Sequence, residues 1–83
     1  MNQILKFTSK NCGPCQGLNM TLANQDLGVP VVSVDADTDR DSVLEYGIRA
    51  VPTMILIRDG VEVARMSGAQ PIDKIRAWAQ QGI

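Results

Sequence analysis

Apolar residues along the chain fall into short runs, separated by glycines, prolines and acidic stretches, and their spacing alternates between strand and helix periods. Ile4-Leu5-Lys6-Phe7 reads as a short strand, with Thr8 to Asn11 as the loop after it. Cys12 to about Leu27 reads as a helix whose inner face carries Cys15, Leu18, Leu22 and Gln25. Gly17 is a weak point inside it. Gly28 ends that helix and Pro30 follows. Val31-Val32-Ser33-Val34 is a second strand, dense enough in apolar residues to be covered on both faces. Thr38 and Asp41 resemble a helix-capping pair ahead of a short helix that runs to about Tyr46 and closes at Gly47. Thr53 to Arg58 is a third strand, Asp59-Gly60 a two-residue hairpin turn, and Val61 to Met66 a fourth strand. Pro71 suits the first turn of a last helix that carries Ile72, Ile75, Trp78 and Ala79 inward, with Gly82 beyond its end.

The resulting order, β-α-β-α-β-β-α, predicts an α/β fold. A helix joins the first two strands, so they are expected to run parallel with a right-handed crossover. The last two form a hairpin, and one mixed sheet with helices on both faces satisfies every connection. With 83 residues, the chain is expected to form one domain over residues 1–83.

Charge narrows the function. The net charge is −1 and the eight basic residues are scattered, which leaves no electrostatic footprint for nucleic acid. No apolar run approaches the roughly 20 residues of a membrane span. Residues 1–10 lack the layout of a signal peptide. A cytoplasmic, reducing compartment is therefore the expected setting, and there a lone Cys-x-x-Cys is more often reactive than structural.

The only two cysteines, Cys12 and Cys15, stand three positions apart in "NCGPCQG". As a structural staple they would close a minimal loop and remove little entropy from the unfolded chain. As a metal site they fall short of the roughly four ligands zinc requires, because the chain has no histidine. Only a dimer pooling two pairs would supply a zinc or iron–sulfur site, so no metal is expected. A redox pair fits the geometry. Cysteines one helical turn apart fall within the Cα separation of about 4.4–6.8 Å that a disulfide needs. Cys12 at the helix start meets unpaired N–H groups that favour a thiolate, the attacking species in exchange. Pro14 has no N–H, which makes the Cys15 amide the nearest helical donor to the Cys12 sulfur.

"CGPC" and the downstream segment "YGIRAVPT", residues 46–53, together resemble the thioredoxin family. The resemblance covers the chain from about Ile4 to the last helix, and "RDGVEVARMSGA" is similar to the family's closing hairpin. It implies the thioredoxin fold, with a four-stranded sheet in the order 2-1-3-4. It also implies a dithiol–disulfide oxidoreductase at the reducing end of the scale, with no cofactor beyond the Cys12–Cys15 disulfide. Cys12 would be the nucleophile and Cys15 the resolving cysteine, supported by Gly13 and Pro14. Pro52 would follow a cis peptide bond and face the cysteines. The Val51 backbone would pair with a bound client strand, with Thr53 and Gly68 beside it. Disulfide-containing proteins would be the clients, ribonucleotide reductase among them by analogy, and thioredoxin reductase or an equivalent would restore the dithiol.

The sequence departs from that family's pattern in three ways. The family's first strand and helix have no counterpart, so the chain has the length of a glutaredoxin, like short phage and microbial thioredoxins. That leaves Val31–Val34 as an expected sheet edge. Lys6 occupies the place of a buried aspartate six positions before the first cysteine, with Ser33 as its neighbour on the next strand. It would either bias the Cys15 thiol electrostatically or pack its stem and send its ammonium to water. Asn11 replaces a tryptophan and reads as a helix cap. A glutaredoxin-like redoxin, reduced by glutathione or dedicated to ribonucleotide reductase, is the nearest alternative. It lacks support from Gly68, which stands without a second glycine. A non-redox binding module using the same groove is the other. The aspartates at 35, 37, 39 and 41 open like a calcium loop, but Arg40 and Tyr46 stand where glycine and glutamate are needed.

Overall fold

The computed structural model describes residues 1–83. Along the chain it contains β1 (Gln3–Thr8), α1 (Gly13–Leu22), β2 (Val31–Asp35), α2 (Arg40–Tyr46), β3 (Thr53–Arg58), β4 (Val61–Ser67) and α3 (Ile72–Trp78). The strands form one sheet in the order β2-β1-β3-β4. β1 runs parallel to β2 and antiparallel to β3, and β3 pairs antiparallel with β4. Order and sense are those the sequence implies, because α1 carries the chain back to start β2 in the same direction as β1.

Strand alternation divides the core in two. Ile4, Met54 and Leu56 point to one face, where Leu18 of α1 and Ile75, Trp78 and Ala79 around α3 cover them. Leu5, Phe7, Ile55 and Ile57 point to the other, under Val43 of α2 and Ala36. β3 lies between two strands and under helices on both faces, so five consecutive residues, Thr53 to Ile57, are buried. Full burial of each of the four apolar side chains among them, Met54 to Ile57, contributes roughly 1.5–3 kcal/mol.

α1 is shorter than its sequence suggests. It ends at Leu22, and Asn24 turns the chain with φ 61°. The reason is Leu27, which is buried with Leu18 in one cluster. In an unbroken helix, Leu27 would sit about two and a half turns beyond Leu18, on the opposite face. The helix has to stop before Leu27 can enter the core, and Asn tolerates the left-handed turn that stops it.

β2 is the sheet edge that the resemblance implies, but it departs from the expectation of cover on both faces. Val31 and Val32 are 38% and 41% exposed, so this strand is not covered on both faces. It is the edge of the sheet, paired to β1 alone, and the helices sit over the centre. At α2 the N-cap is Asp39, not Thr38. Asp39 Oδ1 accepts the Ser42 amide at 3.1 Å and Oδ2 accepts the Ser42 hydroxyl at 2.8 Å. Gly47 closes that helix in the left-handed region, φ 62°. Pro71 stands one position earlier than expected, as the N-cap of α3. β4 continues to Ser67, and an irregularity in the β3–β4 register falls at Leu56/Ile57. The other end of α3 is tied to the sheet by Arg58, whose Nη2 donates to Ala79 O at 2.6 Å and whose Nε donates to Gln81 O at 3.0 Å.

Candidate active site

Cys12 has extended backbone dihedrals and is the N-cap of α1. Pro14 in the first turn fits helical φ and offers no amide, so the first turn's donor to the sulfur is Cys15 N–H, 3.1 Å from Cys12 Sγ. Asn11 is therefore not the cap; the cysteine itself is. A disulfide joins Cys12 to Cys15 across a Cα–Cα distance of 5.2 Å, near the middle of the usual range. The two sulfurs differ in access. Cys15 is 1% exposed, against the sheet, and Cys12 is half-buried at the surface. Gly13 and Pro14 are both exposed, and a methyl group on Gly13 would meet open space.

The second wall of the site comes from the other half of the chain. Val51 O lies 3.9 Å from Cys12 Sγ, and the Val51–Pro52 peptide bond is cis. Pro52 O accepts the Gly68 amide at 2.9 Å, so the loop after β4 is latched to the loop before β3. Gly68 has φ 83°, a conformation that glycine adopts without penalty. Cys12, Val51, Pro52 and Gly68, distant in sequence, thus meet at one end of the sheet. Thr53 follows but faces inward. It is buried, its Oγ1 donates to Ala50 O at 2.7 Å, and Ser67 Oγ lies 3.5 Å away. Its side chain shapes the Ala50–Val51 segment instead of lining the surface.

Lys6 pairs in register with Ser33 and Met54. Its Nζ donates to Asn19 Oδ1 at 2.5 Å, and Asn19 follows Cys15 by one helical turn. The ammonium lies in a groove of about 430 Å³, floored by Leu22, Leu27 and Val31. Partial burial there lowers the Lys6 pKa from the ordinary lysine value. The packed-stem alternative describes this side chain, except that the head reaches an amide before it reaches water. Tyr46 supports the fold: its ring meets Phe7 edge-on at 5.9 Å and its carbonyl accepts Arg65 Nη2 at 2.9 Å. The aspartates of residues 35–41 serve turns and caps. Asp35 Oδ1 accepts the Asp37 amide at 2.9 Å, and Asp37 Oδ2 accepts the Lys10 amide at 3.2 Å.

Sequence reading missed the Thr53–Ala50 bond, the Gly68–Pro52 latch and the Asn19 partner of Lys6. Only the last left a signal, because Asn19 is four residues after Cys15 and so shares its side of α1.

A closed Cys-x-x-Cys pair at a helix N-terminus, facing a cis-proline loop at the end of a mixed sheet, defines a thiol–disulfide oxidoreductase site. The Thioredoxin family model matches residues 1–81, and the chain belongs to the thioredoxin family. It is 32% identical to Thioredoxin C-2 of Corynebacterium nephridii, over 96% of this chain and 78% of that protein. It is 31% identical to the thioredoxin of Haemophilus influenzae, with the same coverage. Against mouse mitochondrial thioredoxin, 32% identical, it spans 49% of the relative's length. The X-ray structure of Fasciola hepatica thioredoxin superposes with a TM-score of 0.85 at 30% identity, covering 99% of this chain and 81% of that one. The fold is the thioredoxin fold, and the chain carries the family's dithiol–disulfide oxidoreductase activity on disulfide-containing substrates. No helix is long and apolar enough to cross a membrane.

Proposed function

We propose that the chain is a protein-disulfide reductant in which Cys12 attacks and Cys15 resolves. In the reduced form, the Cys12 thiolate attacks one sulfur of a client disulfide. The client S–S bond breaks, its second sulfur leaves as a thiolate, and a mixed disulfide joins Cys12 to the client. The Cys15 thiolate then attacks Cys12 Sγ, closes the intramolecular disulfide and releases the client's first sulfur as a thiolate. Two electrons have passed to the client. The single observation that carries this reading is the asymmetry of the pair. Cys12 Sγ is at the surface and accepts the Cys15 amide at 3.1 Å, and Cys15 is sealed beneath it.

In this reading Val51 offers its backbone to an extended client segment, Pro52 and Gly68 hold that edge open, and Gly13 and Pro14 keep the approach to Cys12 clear. No diffusible cofactor takes part. A thioredoxin reductase or an equivalent restores the dithiol, ribonucleotide reductase is a client by family analogy, and the reducing cytoplasm is the setting. Insulin reduction with single-cysteine variants tests the roles. Cys12→Ser is expected to be inactive, and Cys15→Ser to trap a covalent mixed disulfide with the client. An active Cys12→Ser, or a Cys15→Ser that traps nothing, would overturn the assignment. Supplying glutathione alone, or an NADPH-linked reductase, then separates this reading from the glutaredoxin-like one.

A further inference from the structure

Beside Val51 a cleft of about 280 Å³ opens between the loop after β1, the loop after β2 and the loop before β3. Ala36, Val43 and Ile48 are among its lining residues. Its rim carries two arginines, Arg40 and Arg49, and one aspartate, Asp37. The charges are not equally free. The Asp37 carboxylate already accepts the Lys10 amide at 3.2 Å. Arg40 Nη1 is partly committed to Ala36 O at 3.0 Å. Arg49 is exposed and has no ion-pair partner, because the one ion pair in the structure joins Arg65 to Glu62. Of the other aspartates in residues 35–41, Asp39 is held by Ser42 at the α2 cap, Asp35 accepts the Asp37 amide, and neither they nor Asp41 line the cleft.

We infer that this cleft receives a client side chain next to the reacting cysteine and favours glutamate there, its short stem beside Val43 and Ile48 and its carboxylate at Arg49 and Arg40. The inference rests on the reading above, in which the client lies along Val51. Val51 both lines the cleft and places its carbonyl 3.9 Å from Cys12 Sγ, so a strand paired to Val51 sends a neighbouring side chain toward this opening. Guanidinium suits the task because it accepts a carboxylate through two parallel N–H donors. At a solvent-exposed rim such a contact acts mainly on association rate and on choice of partner. A lysine in the same place would meet two like charges against the single carboxylate of Asp37, which keeps its charge while it accepts the Lys10 amide.

The test uses three peptide disulfides, identical except that both residues flanking the client cysteine are glutamate, glutamine or lysine. Reduced wild-type protein should reduce the glutamate peptide about fivefold faster than the glutamine peptide, as a rim contact of about 1 kcal/mol allows, and the lysine peptide slowest. Arg49→Glu should reverse the order of the glutamate and lysine peptides, and Arg49→Gln should narrow the differences among the three, with Arg40 still in place. High salt should shrink the wild-type differences. Equal wild-type rates on the glutamate and glutamine peptides would overturn the inference and leave the reductase reading standing. Reduction of none of the three would overturn both.

Discussion

Replacing Thr53 by valine isolates one bond in the loop that faces Cys12. Valine keeps the side-chain shape but removes the hydroxyl that donates to Ala50 O at 2.7 Å. A buried neutral hydrogen bond contributes roughly 0.5–1.5 kcal/mol net. Ala50 itself is exposed, so its carbonyl recovers a water partner, and the loss should be about 1 kcal/mol, not the larger cost of an orphaned acceptor. If that bond orders the Ala50–Val51 segment, removing it lowers the share of molecules with Val51 O held beside Cys12 Sγ, where the proposed client strand would pair, by up to about fivefold. Urea unfolding of the oxidised protein reads the first number, and the second-order rate of insulin reduction reads the second. The expected result is a stability loss near 1 kcal/mol together with a two- to fivefold slower reduction, and recovery of the rate in Thr53→Ser, which restores the donor. A valine variant that loses stability but reduces insulin at the wild-type rate would refute the reasoning. The Gly68–Pro52 bond alone would then suffice to hold the loop.

Leu18→Ala empties a fully buried position under α1 and should cost about 3–5 kcal/mol in urea unfolding, a large part of a small domain's total. Gly47→Ala should cost about 1 kcal/mol, all of it from the left-handed backbone at φ 62°, because an added methyl meets open space; a cost near zero in urea unfolding would contradict the geometry. Burial lowers the Lys6 pKa, so the unfolded chain keeps that proton to higher pH than the folded one. Stability should therefore rise with pH in the window just below the ordinary lysine value of about 10.4. Lys6→Met should raise the melting temperature at pH 7, with the gain shrinking as pH passes about 10, and calorimetry at both pH values checks this.

Much of this molecule is written in local patterns. β3, the Asp59-Gly60 turn and the α3 core positions follow from period and turn chemistry alone, since φ values of 53° and 80° at Asp59 and Gly60 are what that dipeptide provides. The cysteine pair was legible because its chemistry depends on spacing within one helical turn. What escaped was set by contacts distant in sequence. The end of α1 depends on where Leu27 must go, and the exposure of Val31 and Val32 depends on β2 having a neighbour on one side only. Neither is encoded within a ten-residue window. The same holds at the site: Thr53 and Ala50 are close in sequence, but the need for their bond appears only when Val51 is seen against Cys12.

The short span between the two cysteines also bears on oxidative damage. Peroxide reaching the outer sulfur converts it to a sulfenic acid, the first and reversible rung of the oxidation ladder. With Cys15 held at a Cα distance of 5.2 Å, its thiol displaces water from that sulfenic acid and forms the same bridge that catalysis forms. Attack by an oxidant therefore ends in the same disulfide that thiol–disulfide exchange opens, short of the irreversible sulfinic acid.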